Sequence, residues 1–282
     1  MRLHNSNDRE GIEPSDLLLV DRRRRGILNL RLLDFGLLLQ SVALHKSPLG
    51  PAVFVARLTR ADGAEGPLPI RLSSGSETYR RLLDRFYLPI LPDPIISTAL
   101  FDICASSYDE IIDQERNIQN ILRLLGVIKE LVTRQGKTIR VLDFGCGTGL
   151  AVTAQRRPRS RKNFQIQMYG TDASPVMGKK AAARGERVLS FAEWQKLTPK
   201  FFDAIFASYV LHCGIEDREL KIIAKQLMPG GIFVANYFRA DHRSLVSIRK
   251  RAALFGLVSK TKECDLTDVR NPIIIFRPSD RN

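Results

Sequence analysis

The sequence predicts an α/β fold in which a mostly parallel β-sheet is covered by helices on both faces, preceded by a smaller α+β region. From about residue 100 onward, short apolar runs alternate with segments of helical periodicity, as βαβ units do. In addition, the stretch VLDFGCGTGL at residues 141–150 takes a buried-strand pattern directly into a glycine-rich turn. We therefore divide the chain into an N-terminal accessory region, 1–100, and a main domain, 101–282.

Length and composition agree with this division. A chain of 282 residues with 44% hydrophobic residues can form one or two domains with a sizeable core. Its four cysteines are widely spaced and form no C-x-x-C pair, which argues against a zinc site and a disulfide framework. The first sixteen residues are polar, and the apolar run 27–44 is interrupted by polar residues. We expect a cytoplasmic protein without a metal site or a membrane segment.

The net charge of +14 is the most unusual feature of the composition. Two basic runs stand out, one at Arg22–Arg25 and one at Arg156–Lys162. Such runs can meet nucleic acid, anionic lipid or an acidic substrate, and they can equally be solvated loops. Neither run contains aromatic residues that would stack on bases, so the solvated-loop interpretation is favoured.

In the N-terminal region, residues 52–59 and 69–73 flank a turn containing Asp62-Gly63, which predicts a β-hairpin. Residues 76–88 have a helical pattern in which Ser76 is the N-cap. Three prolines between residues 89 and 94 cannot continue that helix and indicate a linker.

The main domain begins with a helical pattern at 108–131 and continues as alternating strands and helices. The predicted strands one to five are 139–144, 165–172, 187–190, 202–208 and 232–237. The helices predicted between them include 175–184 and 219–227. A further helix at 244–255 leads to a closing pair of strands that ends at 273–276.

The glycine turn predicts a site for a small polar ligand. Gly145, Gly147 and Gly149 alternate with other residues and leave no Cβ between the backbone and a ligand. A helix that opens at Gly149 adds unpaired N–H groups and a positive dipole end. The spacing does not fit the dinucleotide fingerprint G-x-G-x-x-G, and Gly-Lys-Ser/Thr is absent, which disfavours NAD, FAD and nucleoside triphosphates.

An acidic residue followed by G-x-G-x-G after an apolar strand resembles the first motif of class I S-adenosylmethionine-dependent methyltransferases. Three more landmarks follow in the family's order: GTDASPVM at 170–177, FDAIFAS with VLH at 202–212, and LMPGGIFVANYF at 227–238. The resemblance covers residues 102 to 277. It implies a seven-stranded sheet, S-adenosylmethionine as the cofactor, and methyl transfer as the activity.

The resemblance also implies roles for individual residues. The glycine turn would hold the methionine end of the cofactor, Asp143 would orient its amino group, and Asp172 would accept hydrogen bonds from both ribose hydroxyls. Tyr108 would cap the cofactor unless its helix is simply amphipathic, and Met177 would line the adenine unless it only packs in the core. The implied cofactor-binding set is Tyr108, Asp143, Gly145, Cys146, Gly147, Gly149, Asp172, Ala173, Met177, Ser190, Phe191, Ala207 and Ser208.

One position departs from the family pattern. Many members place an aspartate after strand three to accept from the adenine amino group, whereas this chain reads LSFAEW at 189–194. Ser190, a backbone carbonyl or Glu193 are the candidates to replace it.

His212 is the best-placed candidate for a proton acceptor, since a neutral imidazole can take a proton near pH 7. A packing role is the alternative for this histidine, and packing is favoured for the neighbouring Cys213.

Three motifs that would identify other substrate classes are absent from the chain. It lacks the Asn/Asp-Pro-Pro-aromatic motif that binds an exocyclic amino group of a nucleic-acid base, and the Pro-Cys dipeptide that supplies the nucleophile for pyrimidine C5. It also lacks the acidic cluster of a magnesium-dependent catechol-type enzyme.

These absences favour O-, N- or C-methylation of a small molecule, with residues 1–100 and the helix at Tyr108 capping the acceptor. An RNA methyltransferase, favoured by the charge, and a non-catalytic interaction module that keeps the fold are the alternatives. The oligomeric state is not predicted.

Overall fold

A computed structural model of the chain describes residues 16–21, 37–46, 52–64, 68–69, 71–74, 77–83, 86–89, 93–132, 138–157, 165–238, 242–259 and 271–279. The basic run at 22–25 and residues 158–162 of the second run lie outside this part. The chain divides into two compact units: residues 1–46 with 51–91, and residues 92–282 with 47–50.

The first unit contains a six-stranded sheet in the order β2-β3-β1-β6-β5-β4. Its core consists of apolar side chains that alternate along the strands, among them Leu18, Val20, Leu58 and Tyr87. The strands are β1 (Asp16–Asp21), β2 (Leu37–His45), β3 (Val53–Arg60), β4 (Arg71–Ser74), β5 (Glu77–Leu82) and β6 (Phe86–Pro89).

Two predictions for this region are wrong. The predicted hairpin of 52–59 with 69–73 does not form, because β3 pairs with β1 and β2 while β4 pairs with β5. The predicted helix at 76–88 is a pair of antiparallel strands, β5 and β6, and its proposed N-cap Ser76 lies outside the described residues. Between these strands Leu83 has a φ of 51°, a conformation that no helix interior contains.

The second unit carries the glycine turn and a seven-stranded sheet. Its helices are α1 (Pro94–Cys104), α2 (Tyr108–Ile111), α3 (Gln114–Leu131), α4 (Leu150–Arg156), α5 (Pro175–Ala183), α6 (Phe191–Lys196), α7 (Asp217–Gln226) and α8 (His242–Leu254), with a 3₁₀ turn at Leu211–Cys213. Its strands are β7 (Ile139–Phe144), β8 (Ile166–Thr171), β9 (Arg187–Val188), β10 (Phe202–Ala207), β11 (Leu227–Asn236), β12 (Leu257–Val258) and β13 (Ile273–Pro278).

The strand order of this sheet is β12-β13-β11-β10-β7-β8-β9. The pairs from β9 to β11 are all parallel, and β13 is antiparallel to both of its neighbours. The order reverses at β7, because the chain continues to β8 and β9 on one side and returns to β10 on the other. In open α/β sheets a ligand crevice lies at such a reversal, outside the carboxyl ends of the strands.

Side chains alternate between two apolar layers, one on each face of the sheet. On β10, Ala204 and Phe206 join the layer formed with α3 and α4, whereas Ile205 and Ala207 join the layer formed with α7 and α8. Because both faces are covered, this strand is buried along its whole length. This confirms the prediction of an α/β sheet with helices on both faces.

Some boundaries differ from the sequence expectations. The predicted helix 108–131 is broken at Ile112, whose extended backbone ends α2, and Asp113 then caps α3 by accepting from the Arg116 N–H at 2.9 Å. Strand five begins earlier than predicted, because β11 starts at Leu227 and runs through the Pro-Gly-Gly turn. Among the described helices, none combines the length and the apolar character needed to cross a membrane.

We expect Gly149→Ala to lower the free energy of unfolding by about 2–4 kcal/mol, through left-handed strain and overpacking. Gly149 has a φ of 84°, and a Cβ there would lie 2.8 Å from the Cα of Ala181 in α5. The matched control is Gly126→Ala in α3, where a Cβ meets nothing within 4 Å. The control should gain about 0.5–1 kcal/mol. Urea titrations followed by circular dichroism measure the free energy of unfolding of both variants. If Gly149→Ala were as stable as the wild type, the close packing of Gly149 against α5 would be contradicted.

Candidate active site

The glycine turn joins the end of β7 to the start of α4 and is held by the neighbouring strand. The N–H groups of Gly145 and Cys146 both donate to the carbonyl of Thr171, at 2.8 and 3.0 Å. Gly147 has a φ of 55°, and a Cβ built on it would find no atom within 4 Å. The backbone is therefore open at Gly147, where a ligand can approach it closely.

Asp172 follows β8 and connects it to this turn. Its Oδ2 accepts from the Gly147 N–H and its Oδ1 from the Ser174 N–H, each at 2.8 Å. A carboxylate oxygen has two acceptor sites, so each oxygen can accept one further hydrogen bond. Burial raises the pKa of Asp172 to about 6, while the two N–H groups favour the charged form. Asp172 lines the pocket described below.

A cluster of three side chains fastens α2 to the glycine turn. Asp109 accepts from the Thr148 hydroxyl at 2.6 Å and forms an ion pair with Arg184 at the end of α5. Arg184 also donates to the Thr148 oxygen at 3.0 Å. This cluster positions the adjacent Tyr108, which packs edge-on against Phe101 with ring centroids 5.9 Å apart.

The helix α1 forms another wall of the site. Its Ser97 hydroxyl donates to the carbonyl of Cys213 at 3.0 Å, and its Asp102 accepts from the Ser174 hydroxyl. These contacts hold α1 against the segments that follow β8 and β10.

A pocket lies at the carboxyl ends of the strands, where the strand order reverses. Its lining contains eight residues of the predicted cofactor set: Tyr108, Gly145, Gly147, Asp172, Ala173, Met177, Phe191 and Ser208. The sequence analysis missed others, among them Phe101, Trp194, Tyr209, Val210 and Glu219. No local motif marks these residues, because α1, α6 and α7 bring them together only in the fold.

Several predicted residues do not line this pocket. Gly149 packs against α5, Ala207 is buried inside β10, and Ser190 is exposed as the N-cap of α6. Asp143 in β7 and Cys146 within the glycine turn are both buried.

Asp143 belongs to a pair of buried carboxyl groups. Its Oδ1 and both carboxyl oxygens of Glu186 have no hydrogen-bond partner among the described residues. A Cβ on Gly170, which pairs with Asp143 across β7 and β8, would lie 2.8 Å from Glu186 Oε1. Burial and the nearby Asp172 charge raise the pKa of Glu186 to about 8. Burial and the charges of Glu186 and Asp172 also raise the pKa of Asp143 well above its ordinary value.

His212 lies in the 3₁₀ turn after β10 and is not part of the pocket lining. Its ring contacts Tyr209 and Phe238 edge-on, at centroid distances of 6.4 and 5.6 Å. Its Nδ1 is buried without a hydrogen-bond partner among the described residues, and Nε2 lies 3.6 Å from the sulfur of Cys213. Burial lowers the pKa of His212 to about 4, so the ring is neutral at pH 7.

Three asparagines from distant parts of the chain fix the tip of β10. Asn120, Asn236 and Asn271 form a closed ring of hydrogen bonds at 2.5 to 3.1 Å, which we call the asparagine ring. Asn236 Oδ1 also accepts from the Tyr209 N–H at 2.7 Å, and Asn120 donates to the Ser208 hydroxyl at 2.9 Å. The ring thus supports Tyr209, whose φ of 58° is uncommon for a residue with a side chain.

Residues 110–263, more than half of the chain, match the sequence model of a family described as "Methyltransferase domain". The chain belongs to this methyltransferase family. The match confirms three predictions: the class I methyltransferase fold, an enzymatic activity, and S-adenosylmethionine as the cofactor. The described residues contain no group of three or more His, Cys, Asp or Glu side chains that could hold a metal ion.

Solved structures of other methyltransferases are similar to this enzyme. The Burkholderia thailandensis 1,6-didemethyltoxoflavin-N1-methyltransferase is 17% identical, with a TM-score of 0.47 over 75% of this chain and 100% of that one. A Thermotoga maritima protein described as a possible histamine N-methyltransferase is 16% identical, with a TM-score of 0.43 over 64% of this chain and 99% of that one. A comparison with curated proteins found no significant match.

We expect Glu186→Gln to change how stability depends on pH. In the folded protein Glu186 keeps its proton up to about pH 8. An unfolded glutamate loses it near pH 4.3. Between these values the folded state binds more protons, so the free energy of unfolding of the wild type falls as pH rises.

The variant has no titrating group at position 186 and retains Asp143, as the wild type does, so its stability relative to the wild type should increase by about 2–4 kcal/mol between pH 5 and pH 8. The control is Glu115→Gln, since the exposed Glu115 pairs with Arg157 and its pKa is lowered to about 2. Its difference from the wild type should stay constant over the same range. Urea midpoints measure both, and parallel pH profiles for wild type and Glu186→Gln would refute the assignment.

Proposed function

We propose that this enzyme transfers a methyl group directly to an oxygen, nitrogen or carbon nucleophile of a small molecule that is neutral or cationic. The observation that carries the proposal is the charge of the pocket. Among the described residues that line it, the only acidic or basic side chains are the carboxyl groups of Asp172 and Glu219, and neither Lys nor Arg is present. Aromatic and apolar side chains form most of the remaining surface.

This lining is unfavourable for RNA. Proteins bind the phosphates of nucleic acids mainly through Lys and Arg, and carboxylates repel them. The described residues of the second basic run are Arg156 and Arg157, and both have partners in this chain. Arg157 forms an ion pair with Glu115, and Arg156 donates to the carbonyl of Arg184. The net charge of +14 is the observation that keeps an RNA substrate as the second candidate.

The pocket residues fit S-adenosylmethionine at two points. The backbone is open at Gly147, and Asp172 directs a carboxylate with unused acceptor capacity into the same space. We assign the methionine end of the cofactor to Gly145 and Gly147, and the ribose hydroxyls to Asp172. When bound, the cofactor supplies a methyl group activated by a sulfonium sulfur.

The chain's own task is then to align the acceptor and exclude water, which can lower the barrier by several kcal/mol. We assign acceptor contacts to Tyr209, Phe101 and the hydroxyls of Ser97 and Thr98, which line the pocket. A proton-accepting role for His212 stays a prediction, since the ring lies outside the lining and its pKa is low. The capping role of residues 1–100 also stays a prediction.

We expect Asp172→Ala to weaken binding of both S-adenosylmethionine and S-adenosylhomocysteine by about 1–3 kcal/mol, because charge-assisted hydrogen bonds to the ribose are lost. Isothermal titration calorimetry measures both affinities. The control is Asp62→Ala, which removes an exposed carboxylate in the first unit. Unchanged affinity would remove Asp172 from the ribose site. A folded wild type that binds neither ligand would instead support the interaction-module alternative.

We expect labelled methyl groups from S-adenosylmethionine to appear in the low-molecular-mass fraction of a metabolite extract and not in purified tRNA or rRNA. Transfer should depend little on salt, because no phosphate contacts are made. Methylated RNA, together with a steep loss of RNA binding between low and high salt, would reverse the assignment.

A further inference from the structure

A groove lies at the end of the sheet opposite to the glycine turn. It is formed by the residues just before β10, the start of β11, the second half of α7, the end of α8 and the end of β13. Because β7, β10 and β11 are parallel, this is the edge at which the last two strands begin, whereas the pocket lies where they end. The groove has a volume of about 810 Å³, and none of the described residues that line it also lines the pocket.

Three exposed lysines line this groove. Lys221 and Lys225 are four positions apart on α7 and therefore lie on the same side of the helix. Lys200 is fixed next to them, because its N–H donates to the carbonyl of Lys225 at 3.0 Å. The described part of the lining contains no Asp or Glu, and the ion pairs found in the described residues all involve other side chains. The groove thus presents three positive charges without a counter-charge from its own lining.

Apolar side chains line the same groove. Leu254, the last residue of α8, is 77% exposed, the largest fraction among the described large hydrophobic residues. Phe255 follows it and is half-buried, and Gly256 has a φ of 77° where the chain leaves the helix. The lining also includes Pro199, Pro229 and Pro278. A leucine exposed to this degree within a concave and mostly apolar surface is typical of an interaction site.

This combination favours an acidic protein segment as the occupant. Protein interfaces join an apolar centre to a polar rim, which is the arrangement of Leu254 among the three lysines. Proteins that bind single-stranded nucleic acid stack bases on several aromatic rings, and the described lining contains one aromatic residue, Phe255. The net charge of +14 attracts an acidic partner from a distance and repels a basic one.

We propose that this groove docks an acidic segment of a partner protein. Carboxylates of the segment pair with Lys200, Lys221 and Lys225, and an apolar side chain of the segment packs on Leu254. The docked segment leaves the pocket free, because the groove and the pocket lie at opposite ends of the strands. This docking site is additional to the proposed methyl transfer and does not depend on it.

Peptide binding to the full chain tests the docking site. The probe is a short fluorescein-labelled peptide with glutamates on both sides of a Leu-Phe centre, and fluorescence anisotropy measures its affinity. The wild type should bind it, and more weakly as the salt concentration rises, because salt screens exposed ion pairs. A peptide with Gln in place of every Glu, and one with Ala in place of Leu and Phe, should each bind about tenfold more weakly.

Variants of the chain separate the two contributions. Lys221→Glu with Lys225→Glu should weaken binding about tenfold at low salt and much less at high salt. Leu254→Ser should weaken it about tenfold at both, since salt does not screen apolar burial. The matched controls are Lys179→Glu and Val176→Ser, which change exposed residues of the same types on α5 and should bind the peptide as the wild type does. Circular dichroism confirms that each variant is folded.

Three results would overturn the inference. The first is a folded wild type that does not bind the peptide. The second is equal binding by the groove variants and the α5 controls, which would mean that the peptide is attracted by net charge alone. The third is tighter binding of a single-stranded RNA of equal charge that the lysine variants abolish, which would make the groove a nucleic-acid site.

Discussion

The carboxylate of Asp172 is the contact on which the site depends. By accepting from the N–H groups of Gly147 and Ser174, it joins the glycine turn after β7 to the segment that starts α5. The turn has few side chains that could hold it, so this backbone contact and those to Thr171 determine its shape. The cluster of Asp109, Thr148 and Arg184 then fastens α2 over the same turn. The proposed cofactor contacts and the walls of the pocket thus depend on the same set of hydrogen bonds.

Much of the second unit could be predicted from the sequence. The strands of a parallel sheet are apolar runs of characteristic length, and both β7 and β10 appear as such runs. The glycine turn was also predictable, since its residues are contiguous. The break between α2 and α3 was not, because the apolar spacing continues through Ile112 and only the extended backbone there shows the interruption.

The first unit was predicted less well for a physical reason. Strand partners are chosen by the whole sheet, and β3 pairs with β1 and β2 in preference to β4, the next strand in the chain. The pocket residues Glu219 and Trp194 were missed for a similar reason. Neither belongs to a motif, and they line one pocket because α6 and α7 pack together. By contrast, the sequence did identify His212 as a candidate proton acceptor. Its burial and its low pKa follow from the packing around it and could be found only in the structure.

The asparagine ring links parts of the chain that are far apart, since Asn120 and Asn271 are separated by 151 positions. Contacts of such long sequence separation form late, after large loops have closed. The tip of β10, with Ser208 and Tyr209, therefore acquires its final shape only when the last strand region has joined the sheet. A nascent chain that already contains the glycine turn and Asp172 but not Asn271 cannot close the asparagine ring, and it lacks the contacts that Asn271 makes with Asn120 and Asn236.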